Sequence, residues 1–259
     1  MHIWHLTYAS DGRNPLFPDE VACRKAVRVV GRVAGTSTVL FNIVDDHLHL
    51  VLWCDRQRRG RLARALVQAL RQVAPVPVES ARVRAVENRS HMKWLVDYVL
   101  SQTIHHGIPS PPALWSGSCF PDLIGARQVP GLELQLRRAL PRFRMRDIYR
   151  AVGLTVGPFA PLPLEGVRSA GIARLVAATG AALAVGPTLS GKSAPVVQAR
   201  RAVAQLANQA GMGIADVAWA LDIAPRSVRR LHGPRVDAGT AKAVRMRLAL
   251  ENGVDPKQL

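Results

Sequence analysis

The chain has 259 residues, enough for one large domain or two to three small ones. Its 48% hydrophobic content can fill a core, which excludes a disordered chain, and 35 Lys and Arg against 18 Asp and Glu give a formal net charge of +17. That balance points to a polyanionic partner, nucleic acid first, and no apolar run near the roughly 18 residues that span a bilayer supports a membrane protein. The N-terminal MHIWHLTYAS lacks a basic start and a long apolar stretch, so no signal peptide is expected. Cys23, Cys54 and Cys119 are too few and too far apart for a disulfide framework or a zinc cluster, and a reduced, cytoplasmic setting is expected. Residues 1–127 carry 16 basic and 10 acidic side chains, 128–195 carry 9 and 3, and 196–259 carry 10 and 5, so the excess is not confined to a tail.

In chain order, His2 to Tyr8 reads as a strand. Pro18 to Val33 reads as a helix, with Pro18 and Asp19 at its start, where Pro and an acid are favoured. The β-branched run Thr38 to Val44 and HLHLVLW at 47–53 form a hairpin, with Asp45 and Asp46 in the turn. Residues 58–74 are expected to be helical, because Leu62, Leu66, Leu70 and Val73 share one face. Ala81 to Val86 is a fourth strand, and Ser90 to Thr103 a helix that Ser90 can cap. This order predicts an α+β, ferredoxin-like (RRM-like) antiparallel sheet with helices on one face.

Prolines 109, 111 and 112 break the pattern. Residues 130–152 read as a basic helix, with Arg137, Arg138, Arg142 and Arg144 set to hold DNA phosphates. Residues 153–164 are rich in Gly and Pro and read as a linker. A helical region follows from Glu165, and an all-α helix-turn-helix module ends the chain. The expected division is 1–127, 128–195 and 196–259.

Two histidines at i and i+2 on a strand share a face, so His47 and His49 can hold one metal ion together while Leu48 enters the core. A third ligand is needed. On the helix that follows, Tyr98 and Gln102 lie one turn apart on one face. With that helix beside the histidine strand, Gln102 reaches the metal and Tyr98 presents its hydroxyl. Mixed N and O ligation suits Mn²⁺ and accepts Mg²⁺. The cation would polarise a scissile phosphate, and the tyrosine oxygen would attack phosphorus to leave a covalent phosphotyrosine and a 3′-hydroxyl. Tyr8 and Tyr149 have no amide four residues on. His91, His105 and His106 read as surface or phosphate-contacting residues.

DDHLHLVLW resembles the HUH motif, and WLVDYVLSQ resembles the helix of single-tyrosine HUH transposases, in which an amide ligand follows the nucleophile by four residues. HLTYASDGRNPLF, YVLSQTIHHG and ALWSGS are similar to the first strand and loop, the tyrosine region and the Trp-Ser segment of REP-associated tyrosine transposases. The resemblance covers about residues 1–125. Gln102-Thr103 stands where Asn-Pro is usual, which keeps an amide, and Asp45-Asp46 replaces the usual residues before the first histidine. The resemblance implies a metal-dependent endonuclease and strand transferase acting on single-stranded, hairpin-bearing DNA, and a monomer or homodimer is expected. A domesticated DNA-binding protein that no longer cleaves is the alternative.

IADVAWALDIAPRSVRRL at 214–231 has helix-turn-helix cadence. Ile214, Val217, Ala218 and Leu221 form the first helix's buried face, Asp222 to Ala224 the turn, without the usual glycine. Val228 and Leu231 anchor the second helix, which leaves Arg226, Ser227, Arg229 and Arg230 to face DNA. GPTLSGKS at 186–193 spells a phosphate-loop pattern. It is expected to be a loop between helices, since the parallel strands of a nucleotide-binding core are missing.

Overall fold

The first element is strand β1 (His2–Ala9). Helix α1 (Glu20–Val33) starts after Asp19, whose carboxylate accepts from the Ala22 amide at 2.7 Å, two residues later than the expected start at Pro18. The hairpin of β2 (Thr38–Ile43) and β3 (His47–Cys54) follows, then α2 (Arg56–Leu70), capped by Asp55 accepting from Arg58. Strand β4 (Arg82–Ala85) is short and wholly exposed. Helix α3 (Arg89–Leu100) is capped by Asn88, whose side chain accepts from the His91 amide at 2.9 Å; Ser90 lies inside the first turn instead. The expected helix does not run unbroken to Thr103: it stops at Leu100, and α4 (Gln102–His105) restarts after Ser101. The structure is a computed structural model that describes residues 1–10, 12, 14–155, 157, 159–233 and 236–254. Asp11 and Arg13 of the first loop, Val156 and Pro158 of the expected linker, and 234, 235 and 255–259 of the C-terminal module lie outside the described residues.

The sheet is four-stranded and antiparallel, in the order β2-β3-β1-β4. Residues of one parity share a face. The even face carries Leu6 and Tyr8 of β1 and Leu48, Leu50 and Leu52 of β3, all fully buried. Helix α2 lies there, with the Arg59 guanidinium 4.6 Å from the Trp4 ring, and α1 packs beside α2. The odd face carries Thr7 opposite His49, and Asn42 of β2 opposite His49 on its other side. Helix α3 covers part of it, because buried Asn42 donates from Nδ2 to the Val99 carbonyl at 2.8 Å. Helices therefore lie on both faces, not on one as expected. The α3 segment reads as amphipathic either way, so its face is settled only by the long-range bond to Asn42.

Past α5 (Phe120–Leu123), the expected single basic helix over 130–152 is two short ones, α6 (Leu136–Ala139) and α7 (Met145–Ala151). Pro141 cannot continue the helix, and Arg142 takes a positive φ of 64°. Both belong with the sheet. Gln135 donates its amide to the Thr38 carbonyl at 2.8 Å, Arg138 lies 5.2 Å over the odd-face Trp53, and Tyr149 meets Phe120 edge-on.

By contact the described residues fall into two compact units, where three parts were expected: those of 1–123, 129–158 and 254–259 in one, and those of 124–128 and 159–253 in the other. The second is helical: α8 (Leu164–Ala170), α9 (Ile172–Ala182), α10 (Ala194–Gln209), α11 (Ile214–Ala220), α12 (Pro225–Leu231) and α13 (Ala238–Gly253). Its core joins Leu175, Val203, Leu206, Val217, Leu221, Val228, Val244 and Leu248. Between α11 and α12, Asp222 takes the left-handed conformation, φ 50°, that a glycine would otherwise supply. Residues 186–193 are a loop after helix α9, not after a strand, so a nucleotide-binding core has no support. No helix among the described residues is long and apolar enough to cross a membrane.

Candidate active site

Strand alternation sends His47 and His49 to the odd face, and their Nε2 atoms lie 2.9 Å apart with the rings at 86°. Two imidazoles on one ion, with bonds of about 2.1 Å at a right angle, would place their nitrogens about 3 Å apart. Protons decide whether the pair can do this. The Asp46 carboxylate is 2.6 Å from His47 Nδ1 and holds the proton there, so His47 Nε2 presents a lone pair. His49 Nδ1 faces His5 Nε2 at 3.0 Å and Thr7 Oγ1 at 3.3 Å. With the His49 proton on that side, two lone pairs converge and a cation is the natural partner; without one, His49 Nε2–H donates to His47.

Both inner histidines are held neutral. Burial, then the charges of His47 and His5, pushes His49 down to about 3. Burial, then Arg84, His91 and His47, pushes His5 down to about 4. Neutral imidazole is the form that binds metal.

Gln102 is buried, and its Nε2 donates to the Tyr98 carbonyl at 3.0 Å. That fixes the amide one turn from Tyr98, where it favours the protonated form of His49 against the effect of burial. The Tyr98 ring stands edge-on to His49 at 5.2 Å and to His5 at 6.4 Å between centroids. Its other side is stacked on Trp94, 4.8 Å away and 13° from parallel. The four residues singled out from the sequence, His47, His49, Tyr98 and Gln102, are thus brought together. Tyr8 is fully buried on the opposite face of the sheet, its hydroxyl has no partner among the described residues, and burial raises its pKa. Tyr149 is buried against Phe120.

Sequence reasoning missed three members. His5 enters because β1 pairs with β3 in the register Thr7 opposite His49. Its alternation with Thr7 was visible, but not which strand it would face. Asp46, taken only as a turn residue, orients His47. His106, taken as a surface residue, has its ring 4.7 Å from that of His47, and its Nδ1 is 3.5 Å from Asp45 and 3.8 Å from Asp46. Asp46, His47 and His106 form a second possible metal-holding group, with ligand atoms all within 4.8 Å of one another.

The 111–119 segment braces the turn that carries these residues. Trp115 Nε1 donates to the Ile43 carbonyl at 2.7 Å and the Ile43 amide donates to the Gly117 carbonyl at 3.0 Å. A Cβ at Gly117 would fall 2.2 Å from that Ile43 oxygen, so only glycine allows the approach.

The residues assigned to DNA divide between the two units. Arg137, Arg138, Arg142 and Arg144 are exposed around α6 and the break before α7. Arg226, Arg229 and Arg230 are exposed on α12, and Ser227 is half-buried. No protein-family model, curated protein or solved structure matches the chain.

Proposed function

We propose that the protein is a metal-dependent, single-tyrosine endonuclease and strand transferase acting on single-stranded DNA. The observation that carries the reading is the convergence of His47 Nε2 and His49 Nε2 to 2.9 Å with the Tyr98 ring against His49. His47, His49 and Gln102 would hold a divalent cation, Mn²⁺ or Mg²⁺, which when bound offsets charge on the oxygens of the scissile phosphate. The chain's own residues do the rest. Asp46 and His5 hold the two imidazoles in their ligating tautomers. Trp94 fixes the plane of the Tyr98 ring. The Tyr98 hydroxyl loses its proton as its oxygen attacks phosphorus, the bond to the 3′ oxygen breaks, and that oxygen takes up a proton and leaves as a hydroxyl, so no net proton is consumed. One phosphodiester replaces another, so the broken strand can be rejoined without an energy source.

The strand order β2-β3-β1-β4 supports a ferredoxin-like reading of the sheet. The pair α11 and α12, with the left-handed turn at Asp222 and three exposed arginines on α12, supports a helix-turn-helix role in gripping flanking DNA. The test is direct. Purified protein with Mn²⁺ and a labelled single-stranded oligonucleotide library is expected to give a covalent adduct, stable to denaturant, that Tyr98→Phe loses. An adduct that survives Tyr98→Phe, mapped to Tyr8 or Tyr149, overturns the assignment.

A further inference from the structure

Trp94 is 57% exposed, although an indole gains far more from burial. It sits on α3 one turn before Tyr98 and stacks on it; His91 lies a further 6.2 Å away. Across the odd face, edge strand β4 pairs with β1 so that Arg84 is opposite His5 and Arg82 opposite Thr7. Directly opposed residues share a face, so Arg84 stands beside His5 and Arg82 beside Thr7. Both side chains are exposed, and neither pairs with a carboxylate among the described residues. Arg84 and His91 both act electrostatically on His5. From β4 to β3 is two strand spacings, about 10 Å.

We infer that this strip, from Arg82 and Arg84 across His5 to Tyr98 and Trp94, is a track for one strand of DNA. Trp94 stacks a base next to the cut, and the two arginines hold phosphates on the far side. The chemistry selects a single strand. A base can lie on the indole only when it is out of a duplex, and stacking on an aromatic face tolerates any base. The arginines add charge contacts that carry no sequence information. An edge strand bearing two arginines also repels pairing with another strand, which keeps this side of the sheet open. The inference rests on the nuclease reading for its orientation but is tested apart from it.

Full-length protein in EDTA is titrated into a fluorescein-labelled, mixed-sequence single-stranded DNA of about 16 nucleotides, and into a blunt duplex of the same sequence, over a range of salt. Trp94→Ala should weaken single-strand binding about 5- to 100-fold and leave duplex binding unchanged, and Trp94→Phe should recover most of the loss. Arg82→Ala with Arg84→Ala should lower the slope of log affinity against log salt by about 1.4, at about 0.7 per phosphate contact. Single-strand affinity within twofold for Trp94→Ala, an equal loss on duplex, or an unchanged slope overturns the track. The Tyr98 adduct separates the two ideas. Variants with unchanged binding alongside an intact wild-type adduct sink the track alone. Trp94-dependent binding without any adduct sinks the nuclease reading alone.

Discussion

Asp46 tests whether a metal is held and by which residues. Its carboxylate lies 2.6 Å from His47 Nδ1, and both side chains are largely shielded, at 18% and 14% exposure. If His47, His49 and Gln102 are the ligands, Asp46 acts one step back, fixing the tautomer and raising the basicity of the ligating nitrogen. Asp46→Asn keeps the shape and an accepting oxygen but loses the charge. Losses of this kind weaken metal affinity about 10- to 100-fold, or about 1.4 to 2.7 kcal/mol. His106→Ala should then change affinity little, and His49→Ala should remove it. If instead Asp46, His47 and His106 are the ligands, the ranking inverts. Asp46→Asn and His106→Ala both abolish binding, and His49→Ala is mild. Free Mn²⁺ followed by its electron paramagnetic resonance signal during titration reads all three variants. The inverted ranking refutes the ligand set proposed above, and unchanged affinity in all three refutes a metal at either place.

Two further outcomes are expected. In metal-free protein, His49 and His5 titrate well below the ordinary histidine value of about 6.5, so the folded state binds fewer protons than the unfolded one. Their contribution is complete above about pH 6.5 and is lost as pH falls toward 4 and then 3, at up to about 1.4 kcal/mol per pH unit per histidine. Urea midpoints between pH 6.5 and 5 should fall in wild type and fall less in His5→Phe; a flat wild-type profile would show that these histidines are not held neutral by the fold. Separately, Asn42→Leu removes the buried bond to the Val99 carbonyl and should destabilise the sheet-bearing unit by about 1 to 3 kcal/mol in urea melts, with no loss if that carbonyl finds another donor.

Local pattern carried much of the sheet-bearing unit. The amphipathic α1, the Asp45-Asp46 turn and the shared face of His47 and His49 depend on neighbours within a few residues, and the sequence displays these directly. What the sequence could not display is pairing over distance. His5 meets His49 across 44 positions, and α3 reaches its face through Asn42 and Val99, 57 apart. The same limit explains the division of the chain. Residues 130–152 look like a free basic helix until Gln135 is seen bonded to Thr38. Asp222 is the converse case: a non-glycine residue holds a left-handed turn, so the residue type alone hid a feature that the helical cadence on either side revealed.

The site's precision comes from the apolar face of the sheet. Trp4, Leu6 and Tyr8 alternate with His5 and Thr7, and Leu48 and Leu50 alternate with His47 and His49. A slip of one residue in the pairing of β1 and β3 would turn Leu6 and Tyr8 to the odd face and put His5 and Thr7 into the core. Burying Leu6, Tyr8, Leu48, Leu50 and Leu52 completely makes that slip costly, at about 1.5 to 3 kcal/mol for each large apolar side chain exposed. The apolar face therefore locks the register, and the register sets the 3.0 Å contact between His5 and His49. Asn42 adds the remaining coordinate by tying α3, and with it Tyr98, to the strand beside His49. A polar constellation drawn from four separate elements is held in place by apolar side chains on the opposite face of the sheet.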